Sequence, residues 1–260
     1  MESISLIKRY FKYLVFAKTK YYLHSPFVYD FMVNVIQDDR KFYAFEEIAH
    51  LKKKLLKNNT IITVSEQGAG SRKMGNKRSI KQITKVAGAT QQKGELLFRL
   101  INYFNCKNVL ELGTSVGLGT AYMAKANPNN KVVTVEACLN TLKIAQQNFE
   151  AIQLSNIKTI NTTFINFLKE QEGKKTNFDL VYFDGDHKKE STISYFNQMI
   201  PLKNNNSIFV FDDINWSTDM YEAWQHIIAN SQVSLSINLF QLGIVFFKKD
   251  QAKQHFQLYF

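Results

Sequence analysis

From residue 108 onward the spacing of apolar positions switches repeatedly between period two and period 3.6, which predicts strands and helices in turn. The runs at 108–113 (NVLELG), 131–137 (KVVTVEA), 156–163 (NIKTINTT), 178–185 (FDLVYFDG) and 206–214 (NSIFVFDDI) read as strands. Helices are expected between them. One covers 120–127. In the next, Leu142, Ala145, Phe149 and Ile152 recur at helical spacing behind Asn140, a good N-cap. A short helix follows at 164–171, and another at 188–200 is stopped by Pro201. Ser217 and Asp219 can cap a further helix with an apolar face of Met220, Trp224, Ile227 and Ile228. The runs at 233–240 and 243–249 almost touch, so they form an antiparallel hairpin, because a parallel crossover needs a dozen or more residues.

This alternation predicts an α/β fold: a doubly wound, mostly parallel seven-stranded sheet with a C-terminal antiparallel hairpin. Ligands of such sheets bind beyond the carboxyl ends of the strands. Residues 1–90 read instead as a helical N-terminal extension, a lid and substrate wall to the sheet domain at 91–260. Nine aromatics fall within 10–31, with helices expected on either side of HSPF at 24–27, where Pro26 forces a break. The stretch 65–79 has three glycines and four basic residues and reads as a flexible loop.

Composition changes this picture in one place. An apolar fraction of 45% and a charged fraction of 21% are ordinary for a globular protein. No run approaches the roughly 20 apolar residues of a membrane span. The start reads as no signal peptide, and Cys106 and Cys138 have no metal-ligand spacing, so a cytoplasmic location is expected. The net charge of +11, however, is concentrated. Residues 52–93 hold eleven Lys/Arg and one acid, Glu66. That segment is either a solvated surface or a patch that draws anionic partners.

Two constellations carry chemistry. In VLELGTSVGLGT (109–120) a strand enters a glycine turn and a helix start. Gly113 permits the turn, and Gly117 and Gly119 allow a ligand close to the backbone. Glu111 adds an acid suited to an amino-bearing ligand. Glu136 ends the second strand, placed to accept from both ribose hydroxyls. A nicotinamide dinucleotide site would use the same ribose device. The second constellation is Asp184 and Asp186 after strand four, with Asp212 and Asp213 after strand five. Crowded carboxylates repel, and an oxygen-coordinated divalent cation such as Mg²⁺ resolves that. The alternative is that Asp184 touches only cofactor and that Asp212 and Asp213 cap the following loop. A base is needed to deprotonate a hydroxyl, and Asp186, then His187, are the candidates; helix capping is the competing role for His187.

The chain resembles the class I S-adenosyl-L-methionine-dependent methyltransferases, and within them the small-molecule O-methyltransferases of catechol, caffeoyl-CoA and sugar type. The stretches that carry the resemblance are KGELLFRLINYFNCKNVLELGTSVGLGTAYMA, VVTVEA, FDLVYFDGDH and IFVFDDI, within roughly 90–249. It implies a Rossmann-like fold. It implies that Glu111, Gly113, Thr114, Ser115 and Gly117 line the amino-acid end of S-adenosyl-L-methionine, that Glu136 binds its ribose and that Asp184 adjoins it. It further implies that Asp184, Asp212 and Asp213 hold Mg²⁺, with Asp186 as base. The run Asn161, Thr162, Thr163 departs from the Gly-Asp-Ala-like adenine contact of the family.

The function expected is O-methylation of a small hydroxylated substrate, anionic if the basic segment recruits it, with metal assistance. One alternative is an RNA methyltransferase using residues 52–93, although strand four ends in DGDH rather than an N-P-P-Y-like motif. The other is a non-catalytic cofactor-binding or membrane-surface protein. A homodimer is compatible with everything in the sequence.

Overall fold

A computed structural model describes residues 2–65, 76–87, 89–174, 176–249 and 252–260. In chain order it contains α1 (Glu2–Phe16), α2 (Pro26–Phe31), α3 (Tyr43–Leu55), β1 (Ile61–Thr63), β2 (Lys77–Ser79), α4 (Ile80–Ala87) and α5 (Gln91–Phe104). There follow β3 (Asn108–Leu112), α6 (Leu118–Lys125), β4 (Lys131–Glu136), α7 (Leu139–Ala151), β5 (Ile157–Asn161) and α8 (Phe164–Gln171). The remainder comprises β6 (Phe178–Phe183), α9 (Lys189–Met199), β7 (Lys203–Phe211), α10 (Thr218–Ala229), β8 (Leu235–Asn238), β9 (Gly243–Phe246) and β10 (Gln254–Gln257). The fold is α/β and Rossmann-like, with helices flanking a mostly parallel sheet of eight strands. No helix among the described residues is long and apolar enough to cross a membrane.

The chain divides into two compact units, Asp39–Gly173 and Met1–Asp38 with Lys174–Phe260. Residues 1–38 and 39–90, read together as one extension from the sequence, fall in different units.

In the 39–173 unit, β3, β4 and β5 pair in parallel, with Glu111 opposite Thr134 and Glu136 opposite Asn161. Val109, Leu110, Val132 and Val135 are buried, as near-continuous apolar strands require. Thr90 caps α5 by accepting from the Lys93 N–H, and Thr163 caps α8 by accepting from that of Asn166. Leu142, Ala145, Phe149 and Ile152 form the buried stripe of α7, but its N-cap is Cys138. Asn140, expected to cap, instead donates its side-chain N–H to the Thr63 carbonyl at 2.8 Å. Phe42, Phe45, Phe98 and Tyr122 pack α3, α5 and α6 together. A Cβ on Gly94 would lie 2.2 Å from the Tyr122 ring, so this contact requires glycine. The segment 65–79, expected as a loop, ends in β2, which pairs antiparallel with β1; residues 66–75 lie outside the described residues.

In the other unit, β6 pairs parallel with β7, and β7 pairs antiparallel with β9. The expected hairpin of β8 and β9 is present. An eighth strand, β10, joins β8 in parallel and was not foreseen, because QHFQ is short and largely polar. Pro26 opens α2, which runs into a π-helical turn at Met32–Ile36. Ser217 caps α10, whose Met220, Ala223, Trp224 and Ile227 are buried.

Candidate active site

The turn after β3 is built around two acids in different states. Glu111 is 1% exposed. The hydroxyls of Thr120 on α6 and Thr134 on β4 both donate to its Oε2, the latter at 2.6 Å. Thr114 Oγ1 lies 2.5 Å from Thr134 Oγ1 and extends the network. Burial pushes the Glu111 carboxyl up to about 8, against the pull of the Thr120 and Thr134 hydroxyls and with a push from Glu136. Glu111 is therefore protonated at neutral pH. Sequence reasoning aimed this acid at an amino-bearing ligand; in the structure its hydrogen bonds tie the strand ends to the helix start.

Glu136 is the acid presented at the turn. Its Oε2 accepts from the Ser115 N–H at 3.0 Å and its Oε1 from the Cys138 N–H at 2.9 Å. Burial pushes its carboxyl above the usual range, opposed by the N–H groups of Cys138, Ser115 and Ala137. Two fixed donors set the orientation of the carboxylate, and each oxygen keeps a lone pair for another donor. Asn161, in register with Glu136, donates to the carbonyls of Glu136 and Ala137 and pins the strand end.

The backbone between these acids is unusual. Gly113 and Gly117 have φ of +116° and +81°, and Ser115 sits at +49°. A non-glycine residue held in the left-handed region costs of order 1–3 kcal/mol and persists only where its surroundings fix it. Here Glu136 holds the Ser115 N–H, and the Asn148 side chain donates to the Val116 carbonyl at 2.8 Å. The Ser115 Oγ is buried and has no hydrogen-bond partner among the described residues. An orphaned hydroxyl beside a fixed carboxylate fits a polar ligand at the turn. Gly117 also makes room for α7: a Cβ there would lie 2.5 Å from the Phe149 ring.

The acids of the second constellation are dispersed among partners. Asp212 is buried; its Oδ2 accepts from the Tyr182 hydroxyl at 3.1 Å and its Oδ1 from the Asp213 N–H at 2.8 Å. Asp213 has φ +53° and its carbonyl accepts from the Trp216 N–H. In the loop after β6, Asp184 Oδ1 lies 3.8 Å from His187 Nε2. Asp186 faces Lys188 Nζ at 3.2 Å and accepts from the Tyr195 hydroxyl at 3.3 Å. Burial, then Asp186, pushes the Tyr195 hydroxyl up to about 12. Asp186 and His187 both have positive φ, at +65° and +36°. The N-cap of α9 is Lys188, with no side-chain cap, so His187 does not cap that helix.

Among the described residues no three His, Cys, Asp or Glu side chains gather as metal ligands. Asp184, Asp212 and Asp213, expected to share a divalent cation, form no three-ligand group among the described residues. Tyr182, Tyr195, Thr120 and Thr134 were missed by sequence reasoning. Only Thr134 left a signal there, as a hydroxyl amid the valines of β4.

Comparison with known proteins converges on one family. Residues 71–243 match the profile of the family described as O-methyltransferase. The chain is 31% identical over 126 residues to a catechol O-methyltransferase of Niastella koreensis, covering 47% of this chain and 56% of that protein. It is 27% identical over 135 residues to a catechol O-methyltransferase of Mycobacterium tuberculosis, covering 51% and 59%. The chain thus matches somewhat over half the length of these relatives. Among solved structures, an O-methyltransferase from Bacillus cereus in complex with S-adenosylhomocysteine superposes with a TM-score of 0.57 at 20% identity, covering 80% of this chain and 92% of that one. A methyltransferase from Podospora anserina bound to the same compound gives 0.59 at 13% identity, covering 87% and 98%. The superpositions share the Rossmann-like fold, and the matched profile spans well over half the sequence: this chain belongs to the O-methyltransferase family.

Proposed function

We propose that this chain transfers a methyl group from S-adenosyl-L-methionine to a hydroxyl of a small molecule. The observation that carries the reading is the turn after β3, where Glu136 is held by two backbone N–H groups beside the unpartnered Ser115 hydroxyl. Glu136 binds the ribose, Ser115 takes a polar group of the amino-acid end, and Gly113 and Thr114 shape the turn between them. The bound cofactor supplies a methyl group made electrophilic by a sulfonium. Catechols are the first substrates to try, because the relatives matched by sequence carry that name.

His187 is the proton acceptor in this reading. Its imidazole has Asp184 at 3.8 Å to accompany the charge it gains. Asp186, the base expected from the sequence, already faces Lys188 and Tyr195 and serves to hold the loop. No step is routed through a divalent cation, since the acids do not form a ligand set that fits one.

The test is methyl transfer from labelled S-adenosyl-L-methionine to catechol, with the O-methyl product identified by mass. His187→Gln should lower turnover by roughly 10²- to 10⁴-fold and leave the affinity for S-adenosylhomocysteine unchanged. Undiminished turnover in that variant, with loss in Asp186→Asn, would return the base role to Asp186. Binding of NADH with none of S-adenosylhomocysteine would overturn the whole reading.

A further inference from the structure

The outward face of α1 has the wrong chemistry for a surface that meets only water. Tyr13 is the inward side of this helix: it is 4% exposed, its hydroxyl donates to the Leu258 carbonyl, and its ring packs on Phe240. Arg9 also turns inward, donating to the Asn215 carbonyl and lying over the Tyr221 ring. At 3.6 residues per turn, Ile4, Ile7, Phe11, Leu14 and Val15 fall within an arc of about 100° on the side away from Tyr13. All five are exposed; Phe11 reaches 63% and Val15 75%. Lys8 and Lys12 follow at the edge of this arc. Just past the helix, Tyr21 and Tyr22 are exposed at 82% and 68%, beside Lys18 and Lys20.

Charge decides what this face meets. From residue 2 to residue 29 there are five Lys/Arg and a single acid, Glu2 at the start of α1; from residue 3 to residue 29 there is none. A second copy docked by the same face would set like charges against each other with only Glu2 in the segment to offset them. An anionic lipid surface offers the complementary charge, and an acyl boundary accommodates the Ile, Phe, Leu and Val side chains. Exposed tyrosines flanking an apolar stripe suit the headgroup level. With 15 residues, α1 lies in the plane of an interface.

We infer that α1 and the segment through Tyr22 form a peripheral docking face for an anionic membrane surface. Ile4, Ile7, Phe11, Leu14 and Val15 enter the acyl boundary, and Lys8, Lys12 and Lys20 meet the headgroups. This function is separate from methyl transfer and does not depend on it.

The experiment is sedimentation of the full chain with vesicles of phosphatidylcholine alone and of phosphatidylcholine mixed with phosphatidylserine. The chain should pellet with the mixed vesicles and lose much of that binding as salt is raised. The double variant Phe11→Gln, Val15→Gln should bind at least tenfold more weakly while keeping the wild-type circular dichroism spectrum, since both side chains are exposed. Lys8→Gln with Lys12→Gln should weaken binding by roughly 25-fold, about fivefold for each cation near an anionic surface. Equal pelleting with neutral vesicles, or no pelleting with either, would overturn the inference. So would a dimer in light scattering that the Phe11, Val15 variant abolishes, because the face would then belong to a second copy.

Discussion

The turn after β3 and the loops after β6 and β7 both end strands in acids, and the two regions treat those acids differently. At the turn, Glu111 is buried and takes up a proton, while Glu136 is fixed by two backbone donors and keeps acceptor capacity. In the loops each acid has a different companion: Tyr182 for Asp212, His187 for Asp184, Lys188 and Tyr195 for Asp186. Acids close in sequence at strand ends thus do not by themselves make a cation site. What decides is whether neighbouring donors leave several carboxylates facing one point. The turn is organised around one presented carboxylate, whereas the loops distribute theirs.

This contrast can be broken by substitution. The largest effect is expected from Gly117→Ala. The new Cβ would meet the Phe149 ring at 2.5 Å, and the residue would be held at φ +81°. Strain and overpacking together should cost about 2–5 kcal/mol, read by denaturant unfolding. If Gly117→Ala is as stable as wild type but loses cofactor affinity, the glycine serves the ligand and not α7.

Next comes Glu136→Ala, which tests whether the presented carboxylate binds ligand. S-adenosylhomocysteine affinity measured by calorimetry should fall by about 2–4 kcal/mol, roughly 30- to 1000-fold. A change below threefold would make Glu136 a brace for the Ser115 and Cys138 backbone and nothing more.

The buried acid should show itself in the pH dependence of stability. The Glu111 carboxyl is raised from 4.5 to about 8 in the folded state. Between those values the folded chain holds a proton that the unfolded chain has released. Stability from this group is therefore fully present below about 4.5, falls by up to about 1.4 kcal/mol per pH unit as pH rises, and levels off above about 8. Glu111→Gln should remove that slope. An identical slope in the variant would assign the proton to another group.

The smallest effect expected is that of Mg²⁺. With no three-ligand group among the described residues, the melting temperature without substrate should be the same in Mg²⁺ and in chelator. A rise in Mg²⁺ that Asp212→Asn abolishes would show that the acids regroup around a cation, and the distinction between the two regions would narrow.

The strands and helices from residue 108 onward were legible because the strands are short apolar runs and the helices bury a stripe at helical spacing. The hairpin was legible because two apolar runs stood too close for a crossover. The strand β10 was not, since QHFQ is recognisable as a strand only once β8 offers it an edge. At the turn, the place of Glu136 at the end of a strand was legible, and its ligand role is what the calorimetry tests. The state of Glu111 was hidden, because it depends on threonines 9 and 23 positions away that converge only after folding. Gly117 was visible as a motif glycine, but the Phe149 ring that a Cβ there would meet was not. The partners of Asp186 and Asp212 were illegible for the same reason, as Tyr195 and Tyr182 carry no mark that distinguishes them from other core tyrosines.

One compact unit is assembled from two stretches of chain, Met1–Asp38 and Lys174–Phe260, with all of the other unit between them. On a ribosome this fixes an order of events. Residues 39–173 emerge as one uninterrupted block, with every strand pair among β3, β4 and β5 inside it. Helix α1 emerges before that block and must wait for its partners, since Tyr13 and the Leu258 carbonyl it binds are 245 positions apart. At about 5–20 residues per second that delay is on the order of ten to fifty seconds. Throughout it the helix has neither its inward contacts nor the rest of its unit. This helix is therefore among the last elements of its unit to reach native contacts, and a factor that shields apolar nascent segments would meet it before those contacts exist.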